Sequence, residues 1–414
     1  MCFLGRDQKH TNLASNTGNI MTYIEQDLPP SGSNVLVGMS GGVDSTLTAL
    51  LLKQNGCQVI GVTMSLWDES LGKYEAEDFE ACFGPGEKQN IEECQNFCAA
   101  HGIEYHVADV KSLYKKFVLE YFKKEYRAGR TPNPCIICNQ KIKFGALLEA
   151  AQSLGIEFDY FCTGHYAKIV RPESGVFGTD SRPFMIANAS DSLKDQTYFL
   201  YRIPSEVLSR VRFPLGTMKK SQVFDLAKRQ KLEAANREES QDFIGQKYFD
   251  ALFSDTPSEQ GDIVDLDGHI LGKHRGIEHY TVGQRRGLGV AANRPLYVHS
   301  IDAKNNLVVL APDDALFSDS LIADDFVWPG GIEPSAPFEA MAKIRLASKP
   351  VECKVERLCD NEIASGDFIG MPWRITFAQA QRAVAPGQSV VLYKDGVIMG
   401  GGIIARAMCQ GFFS

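Results

Sequence analysis

The sequence of 414 residues predicts an α/β protein whose parallel-sheet domain is followed by two small, barrel-like β-rich domains. From residue 34 to about residue 230, short β-rich runs alternate with helical patterns, and a glycine-rich turn follows the first run. After about residue 250 the sequence changes to short strands separated by turn residues. We therefore expect a flexible N-terminal extension over residues 1–33, a catalytic domain over 34–249, a central β-rich domain over 250–319 and a C-terminal β-barrel domain over 320–414.

The elements of the catalytic domain follow from the spacing of apolar residues. This spacing predicts strands at 35–39, 59–66, 104–107 and 160–164, and helices at 44–52, 90–100, 111–126 and 140–153. Ligands of such parallel sheets bind at the carboxyl ends of the strands. The loops after Val37, Leu66 and Cys162 should therefore share one cleft, with residues 131–139 folded over it.

The β-rich domains show short apolar runs with tight-turn signals such as Asp267-Gly268, Asn305-Asn306 and Asp395-Gly396. Strands are predicted at 261–268, 296–302, 305–310, 352–357 and 389–393. Regularly spaced short strands with turns between them are typical of small barrels.

Composition excludes several classes of protein. A hydrophobic content of 44% and a charged content of 23% are typical of soluble globular proteins, and no run of 18 apolar residues predicts a membrane span. Eleven cysteines without an export signal indicate reduced thiols or metal ligands in a cytoplasmic protein. Because the net charge is −8, any RNA partner must be held by local basic clusters.

Two basic clusters could hold such a partner. They comprise Lys115, Lys116, Lys123, Lys124, Arg127 and Arg130 before the cysteine motif, and Lys273, His274, Arg275, Arg285 and Arg286 in the central domain. A solvated helix face is the alternative interpretation of the lysines in the first cluster.

The glycine-rich run from Gly38 to Thr46 follows a predicted strand and opens a predicted helix. Glycines permit a positive φ and a close approach to an anion, and the first N–H groups of a helix can bind phosphate. No lysine follows, so the run is not a Walker A loop. It resembles the Ser-Gly-Gly-X-Asp-Ser signature of PP-loop ATP pyrophosphatases, which implies adenylation of a substrate. A glycine-rich turn that binds nothing is the alternative.

The run from Thr131 to Asn139 contains a Cys-x-x-Cys pair, Cys135 and Cys138. A helix is predicted to begin at Asn139 or Gln140, and thiols near a helix N-terminus are more often thiolates. The pair is therefore suited to sulfur chemistry or metal binding. A zinc half-site and a redox dithiol are alternatives, although zinc would need two further ligands at motif spacing.

Taken together, residues 34–410 resemble the tRNA-specific 2-thiouridylase family, which adenylates the C2 oxygen of the wobble uridine and replaces that oxygen with sulfur. The resemblance rests on an ordered series of motifs: 38–45, 126–134, Cys138-Asn139 with 141–144, 163–166, 194–201, 279–289, 386–388 and 400–404. The implied substrates are ATP with magnesium and the anticodon arm of tRNA, and the implied partner is an upstream persulfide or sulfide donor protein.

The resemblance also implies roles for individual residues. ATP would contact Gly38, Met39, Ser40, Gly41, Gly42, Val43, Asp44, Ser45, Met64 and Gly164. The flipped-out target base would contact Asn133, Pro134 and Cys135, and tRNA would contact His165, Lys194, Asp195, Gln196, Arg345 and Gln388. Asp44 would help to organise magnesium, and Cys135 and Cys138 would serve the sulfur step. In relatives, a tyrosine follows the arginine that Arg345 matches. This chain has Leu346 in place of that tyrosine.

Two departures from the family concern the sulfur step. Many relatives have Asp-x-x-Cys where this chain has Cys135, and a second catalytic cysteine in a Ser-Gln-Asp-Ile-Cys-Phe run where this chain reads Ser-Gln-Asp-Phe-Ile-Gly over 240–245. A persulfide on Cys138 would therefore need Cys135 or an external thiol to release its sulfur.

The preferred hypothesis is a [4Fe-4S] cluster on three cysteines, with one iron open to sulfide, because the chain resembles PP-loop thiolases that use such three-cysteine clusters. Its ligands would be Cys135, Cys138 and Cys82, with Cys94 or Cys98 as alternatives to Cys82. Burial is the expected role of the cysteines without paired spacing, which are Cys57, Cys162, Cys353, Cys359 and Cys409.

The sequence therefore predicts an ATP-dependent tRNA 2-thiouridylase. Two alternatives remain, another PP-loop ligase or amidotransferase and a non-catalytic tRNA-binding sulfur carrier.

Overall fold

A computed structural model of the chain describes residues 22–68, 81–84, 86–236, 242–244, 246–253, 259–363 and 366–408. Its strands are β1 (Tyr23–Glu25), β2 (Asn34–Gly38), β3 (Gln58–Ser65), β4 (Ala81–Phe83), β5 (Glu104–Asp109), β6 (Tyr160–Cys162), β7 (Lys168–Pro172), β8 (Met185–Ala187), β9 (Val211–Arg212), β10 (Asp242–Ile244), β11 (Gly261–Val264), β12 (Ile270–His274), β13 (Tyr297–Asp302), β14 (Leu307–Ala311), β15 (Phe317–Val327), β16 (Phe338–Lys343), β17 (Val351–Arg357), β18 (Trp373–Arg382), β19 (Ser389–Lys394) and β20 (Val397–Met408).

The α-helices are α1 (Val43–Gln54), α2 (Glu87–Ala100), α3 (Lys111–Tyr114), α4 (Glu120–Arg127), α5 (Pro134–Ile137), α6 (Leu147–Ser153), α7 (Ser205–Leu208), α8 (Lys220–Arg229), α9 (Gln246–Leu252) and α10 (Asp360–Ile363). Two π-helical segments, Lys115–Leu119 and Cys138–Ala146, join α3 to α4 and α5 to α6. Short 3-10 turns lie at Thr197–Phe199, Glu233–Asn236, Ile277–His279, Asp313–Leu316 and Pro329–Gly331.

The predicted parallel sheet is confirmed, with strand order β5-β3-β2-β6-β9 and parallel pairing throughout. Val35, Leu36 and Val37 on β2 have no exposed surface. A central parallel strand has helices over both faces, so its residues are apolar without alternation. The carboxyl end of β2 thus places the glycine-rich run at one edge of the sheet, in the position where ligands of such sheets bind.

Helix α2 begins at Glu87, three residues before the predicted start. The Glu87 carboxylate accepts hydrogen bonds from the Ser65 hydroxyl (2.8 Å) and from the backbone N–H groups of Leu66 (2.6 Å) and Trp67 (2.9 Å). These bonds fix the loop that leaves β3. The extra turn of helix is therefore stabilised by a contact distant in sequence.

The C-terminal domain is a closed six-stranded antiparallel barrel in the order β20-β15-β18-β17-β16-β19, which the pairing of β19 with β20 closes. Strand β8 extends this sheet, because Ala187 pairs with Val397 on β20, and β7 and β1 follow beyond it. The predicted domain division did not include this continuity. Strand β1 also gives structure to part of the predicted N-terminal extension, whereas residues 1–21 lie outside the described residues.

The central domain is built on a four-stranded sheet in the order β12-β11-β14-β13. Its core consists of its own residues, including Ile263, Val298, Val308 and Leu310. The catalytic domain and the barrel instead share one core, in which Val391 and Tyr393 pack with residues such as Leu36 and Phe161. No described helix is long and apolar enough to cross a membrane.

Candidate active site

The glycine-rich run forms a turn between β2 and α1 that its own hydroxyl groups hold together. Gly41 has a φ of +78°, a conformation that favours glycine, and Gly42 is the N-cap residue of α1. The Ser45 hydroxyl oxygen accepts the backbone N–H of Ser40 at 3.2 Å and lies 3.3 Å from the Ser40 hydroxyl. The turn and the N-terminus of α1 therefore face the same space, as an anion-binding loop requires.

Beneath the glycine-rich turn, Met39 packs against Cys94 and Cys98. Cys94 and Cys98 on α2 have no exposed surface and pack in one cluster with Met39. Burial raises the pKa of the Cys94 thiol, and it raises the pKa of Cys98 to about 12. Both thiols lie in a different packing cluster from Cys138. Packing beneath the loop explains the positions of Cys94 and Cys98 better than iron ligation does.

Asp44, on the first turn of α1, is held by two side chains that are distant in sequence. The Tyr166 hydroxyl donates a hydrogen bond to its carboxylate at 2.8 Å, and Lys220 Nζ lies 2.8 Å from both carboxylate oxygens. The Asp44 side chain is 28% exposed. Its carboxylate is therefore positioned by protein contacts and still reachable from solvent. Lys220 was not among the predicted site residues, because no local motif connects it with Asp44.

Gly164 lies directly against Asp44. A Cβ at this position would lie 2.7 Å from the Asp44 carbonyl carbon and 2.8 Å from the Asp44 Cβ. The loop after β6 can approach α1 this closely only because residue 164 lacks a side chain. Met64, the other ATP contact predicted away from the loop, is partly buried near the carboxyl end of β3.

His165 follows Gly164 and packs into the protein. Its Nδ1 lies 2.7 Å from the Thr163 hydroxyl, and its ring lies 5.9 Å from that of Phe144 and 5.7 Å from that of Phe213. Burial, with a smaller contribution from the charge of Lys143, holds the pKa of His165 well below its usual value. The imidazole is therefore neutral near neutral pH.

Helix α5 begins at Pro134, so the prediction of a helix start at Asn139 or Gln140 is wrong. Proline is favoured at the first helical position, where its missing N–H is not needed, and this signal was present in the sequence. Cys135 and Cys138 consequently lie three residues apart within the helix and share a face. Both thiols are partly buried.

The helix that carries the thiols is anchored close to Asp44. In the π-helical segment that begins at Cys138, Phe144 stacks edge-on against Phe161 on β6, with ring centres 5.4 Å apart, and also contacts His165. His165 is the neighbour of Gly164, which packs on Asp44. This chain of contacts places the phosphate loop and the cysteine helix at the same edge of the sheet.

The barrel holds the loop that precedes the cysteines. The Gln388 side-chain amide donates hydrogen bonds to the carbonyl oxygens of Thr131 and Pro132, each at 3.1 Å, and the Thr131 N–H donates to Pro386 at 2.8 Å. Gly387 has a φ of +88°, and a Cβ there would lie 2.9 Å from the Thr131 nitrogen. The predicted tRNA contact Gln388 therefore positions the segment that leads to Asn133.

Asp195 and Gln196 also make contacts within the protein. Asp195 accepts the Ala189 N–H at 2.8 Å, and Gln196 accepts the Tyr166 N–H at 2.9 Å. Lys194 precedes them and is partly buried. These bonds hold the loop beside Tyr166, the side chain that donates to Asp44.

The residues that follow connect the catalytic domain to the barrel. The Tyr198 hydroxyl donates to the Ser389 carbonyl at 2.9 Å, the Tyr201 hydroxyl lies 3.1 Å from the Ser389 hydroxyl, and the Thr197 hydroxyl lies 3.1 Å from that of Tyr393. The matched motif over 194–201 is thus an interface between these two domains.

Arg345 links the barrel to the central domain. Its guanidinium donates to the carbonyl oxygens of Val282 at 3.0 Å and Ala383 at 2.7 Å. Val282 lies within the matched motif over 279–289. The bond to Val282 therefore joins the barrel to the central domain, whereas the bond to Ala383 lies within the barrel.

Strand β4, which contains Cys82, pairs in parallel with β10, with Ala81 opposite Asp242 and Phe83 opposite Ile244. Ile244 occupies the position of the second catalytic cysteine in the related Ser-Gln-Asp-Ile-Cys-Phe run. Phe83 belongs to the hydrophobic cluster against which Cys138 packs. The backbone of β4 thus lies beside the position where relatives have their second cysteine. The side chain of Cys82 lies outside the described residues.

In the part of the chain that the structure describes, one group of side chains has the spacing of a metal site. It consists of Asp265, Asp267 and His269 in a turn of the central domain, and it contains neither Cys135 nor Cys138. Hydrogen bonds within the turn account for it, because Asp265 accepts the backbone N–H groups of Asp267 and His269, each at 2.9 Å.

Models of protein families match three consecutive parts of the chain. Residues 33–246 match a tRNA methyl transferase HUP domain, residues 250–312 a tRNA methyl transferase PRC-barrel domain, and residues 318–404 an aminomethyltransferase β-barrel domain.

Curated relatives match nearly the whole chain. The tRNA-specific 2-thiouridylase MnmA of Endomicrobium trichonymphae is 42% identical over 89% of this chain and 98% of that protein. MnmA 1 of Syntrophus aciditrophicus is 39% identical over 95% of this chain and 97% of that protein. MnmA of a Roseiflexus species is 39% identical over 90% of this chain and all of that protein.

Proposed function

This chain belongs to the tRNA-specific 2-thiouridylase family, and we propose that it activates the wobble uridine at the phosphate loop and delivers sulfur from the Cys135 and Cys138 site. The relatives name the overall reaction, so the chain is an ATP-dependent tRNA-uridine 2-sulfurtransferase. The observation that carries the assignment of the two sites is the packing of Phe144 on His165 beside Gly164, because it brings the thiol-bearing helix to the Asp44 edge of the sheet.

In the first half-reaction, the C2 oxygen of the uridine attacks the α-phosphorus of ATP, the N3 proton is lost, and pyrophosphate leaves. Residues Gly38 to Ser45, together with Met64 and Gly164, form the ATP site in this proposal. The orientation of the loop and of the α1 N-terminus supports it. Asp44 suits magnesium because it offers a partly exposed carboxylate at the phosphate loop, and a hard cation prefers such oxygens.

We assign the target base to Asn133, Pro134 and Cys135, at the start of α5. The base must leave the anticodon stack to reach the loop, which requires a pocket with fixed walls. Gln388 supports this assignment by holding the segment before Asn133. His165, Lys194, Asp195, Gln196 and Arg345 complete the tRNA site in this proposal, with Asp195, Gln196 and Arg345 acting through the loops and domains that they hold.

In the second half-reaction, a sulfur nucleophile adds to C2 and AMP leaves with the former uridine oxygen. If a hydrosulfide ion is the nucleophile, its proton is transferred to N3, which lost its own proton in the first half-reaction, and no oxidant or reductant is needed. If a Cys138 persulfide attacks, a mixed disulfide to the base forms, and a second thiolate must break its S–S bond. That second route yields a protein disulfide, which an external thiol then has to reduce.

We favour a [4Fe-4S] cluster on Cys135, Cys138 and Cys82 over the persulfide route. Thiolates are the usual ligands of such clusters, and the place of β4 beside Ile244 supports Cys82 as a substitute for the cysteine that relatives have there. Bound in this way, the cluster would supply an iron that holds sulfide. The chain's own residues would orient the activated base and exclude water.

We further propose an upstream persulfide or sulfide donor protein and a cytoplasmic location.

The test of function uses the purified full chain with ATP, magnesium, sulfide and tRNA. We expect AMP and 2-thiouridine to form together, measured by chromatography and by nucleoside mass spectrometry, and neither to form with a tRNA that lacks a wobble uridine. In a parallel reaction with ammonium in place of sulfide, AMP formation with nitrogen incorporated into the tRNA would favour a PP-loop ligase or amidotransferase. Binding of tRNA without AMP formation would favour a sulfur carrier. Undiminished thiolation by Asp44→Ala would contradict the ATP site.

A further inference from the structure

The phosphate loop lacks the lysine that a Walker A loop places on the β and γ phosphates. Cleavage between the α and β phosphates nevertheless puts growing negative charge on the departing pyrophosphate. A cation at the loop would stabilise that charge. The described residues include one lysine in contact with the loop's carboxylate, Lys220, which lies 176 residues beyond Asp44.

The position of Lys220 is strongly constrained. The residue is 7% exposed, and its Nζ lies 5.5 Å from the centre of the Tyr166 ring and 4.9 Å from that of Phe224. Its backbone N–H donates to the Asp191 carboxylate at 2.8 Å. Because burying an ammonium group costs free energy, this site requires a compensating anion, and Asp44 supplies it at 2.8 Å.

Two helix N-termini add positive electrostatic potential to the region around Asp44 and Lys220. Lys220 is the first residue of the ten-residue helix α8, and Asp44 is the second residue of α1. Two helix N-termini, each with partial positive charge, therefore meet at the Asp44 and Lys220 pair. Two carboxylates face this positive potential: Asp191 accepts the Lys220 N–H, and Asp44 contacts Lys220 Nζ and is itself partly exposed.

We propose that Lys220 binds the β and γ phosphates of ATP and stabilises the departing pyrophosphate, in place of the lysine that the loop lacks. This inference rests on the proposed adenylation of uridine. Asp44 would hold magnesium through its carboxylate, and Lys220, which lies beside that carboxylate, would contact the phosphate oxygens. As the bond between the α-phosphorus and the bridging oxygen breaks, its electron pair stays on that oxygen, and Lys220 stabilises the resulting charge.

The test measures ligand binding in the full-length protein without tRNA. Titration calorimetry compares inorganic pyrophosphate with AMP, each with magnesium, for Lys220→Met and for the control Lys219→Met, which removes an adjacent exposed lysine. We expect Lys220→Met to weaken pyrophosphate binding about 10-fold or more and AMP binding less than about 2-fold, because a charge-assisted hydrogen bond is lost. Lys219→Met should leave both affinities unchanged. Equal pyrophosphate affinity in Lys220→Met and the wild type would overturn the proposal.

A second variant keeps the proposal testable if Lys220→Met does not fold. Asp44→Asn retains the shape of the side chain and releases Lys220 from its anion, so magnesium-free pyrophosphate should bind at least as tightly as in the wild type. Weaker magnesium-free binding would overturn the proposal. A wild-type enzyme that thiolates tRNA while Lys220→Met retains its pyrophosphate affinity would refute this inference alone. Absence of tRNA-dependent AMP formation in the wild type would instead refute the proposed function.

Discussion

Gln388, on the barrel, donates its side-chain amide to the carbonyl oxygen of Thr131 at 3.1 Å, 257 residues earlier in the chain. Together with the Pro386 carbonyl, which accepts the Thr131 N–H, this side chain fixes the segment that leads into α5. In the proposed site, this contact connects the barrel with the segment that leads to Asn133, to which we assign the target base.

Gln388→Ala should slow thiolation while leaving ATP binding intact. It removes two hydrogen bonds to the segment before Asn133, and each such bond contributes about 1 kcal/mol. We expect a fall of about 10-fold in kcat/KM for tRNA and little change in the KM for ATP. Gln381→Ala is the matched control, because that amide contacts carbonyl oxygens of its own strand. An equal rise in the KM for ATP would contradict a role confined to the base pocket.

Gly164→Ala should damage the ATP site more than it damages the fold. The new methyl group would lie within 2.8 Å of Asp44 atoms, which forces the loop after β6 away from α1. Overpacking of this kind costs about 1–3 kcal/mol. We expect ATP affinity, measured by calorimetry, to fall about 10-fold or more. Gly272→Ala is the control, since its methyl group would meet only the end of the Val290 side chain, at 3.1 Å. Normal ATP binding by Gly164→Ala would refute this reasoning.

Cysteine variants distinguish the cluster mechanism from the persulfide mechanism. Under the cluster hypothesis, Cys135→Ser, Cys138→Ser and Cys82→Ala each lose iron and thiolation, whereas the exposed Cys359→Ala retains both. Iron and acid-labile sulfide are measured after anaerobic purification. Full thiolation by iron-free protein would exclude the cluster, and full iron loading of Cys82→Ala would exclude Cys82 as its third ligand.

Protonation of His165 should destabilise the protein in mild acid. Its pKa is held well below the usual 6.5, so between pH 6.5 and the lower folded-state pKa the unfolded chain binds more protons. Stability from this group is fully present above pH 6.5 and is lost as the pH falls below that value. From pH 6.5 to 5.5 the loss is at most about 1.4 kcal/mol.

Urea unfolding of the wild type and His165→Gln at pH 7.5 and 5.5 measures this difference. The variant should lose less stability between the two pH values. His279 and His299, whose pKa values are also lowered by burial, remain in both proteins and cancel in the comparison. Parallel pH dependence of the two proteins would show that His165 does not carry the effect.

Local patterns were enough to predict the elements that build the phosphate loop. The apolar run before Gly38, the glycines and the helical spacing after Asp44 all act within about 20 residues, and the strand, turn and helix followed as expected. The predicted helix start at Asn139 or Gln140 was wrong because the helix begins at Pro134, and proline suits the first helical position.

Contacts between distant segments could not be predicted in this way. The contact of Lys220 with Asp44 depends on the packing of α1 against α8, and β8 pairs with β20, which lies about 210 residues later in the chain. Glu87 likewise finds its partners across the loop that leaves β3. Periodicity assigns each residue to an element and a face, but it does not specify which elements become neighbours.

The continuity of the sheet from β8 into β20 determines where this enzyme can be recombined. Cutting the chain before the barrel would leave β8 with an unpaired edge and would divide a core that Val391 and Tyr393 share with Leu36. The central domain has its own core and is therefore the part of the chain that can be exchanged. A chimera should therefore take only the central domain from a relative. Its catalytic domain and barrel should both come from one parent protein.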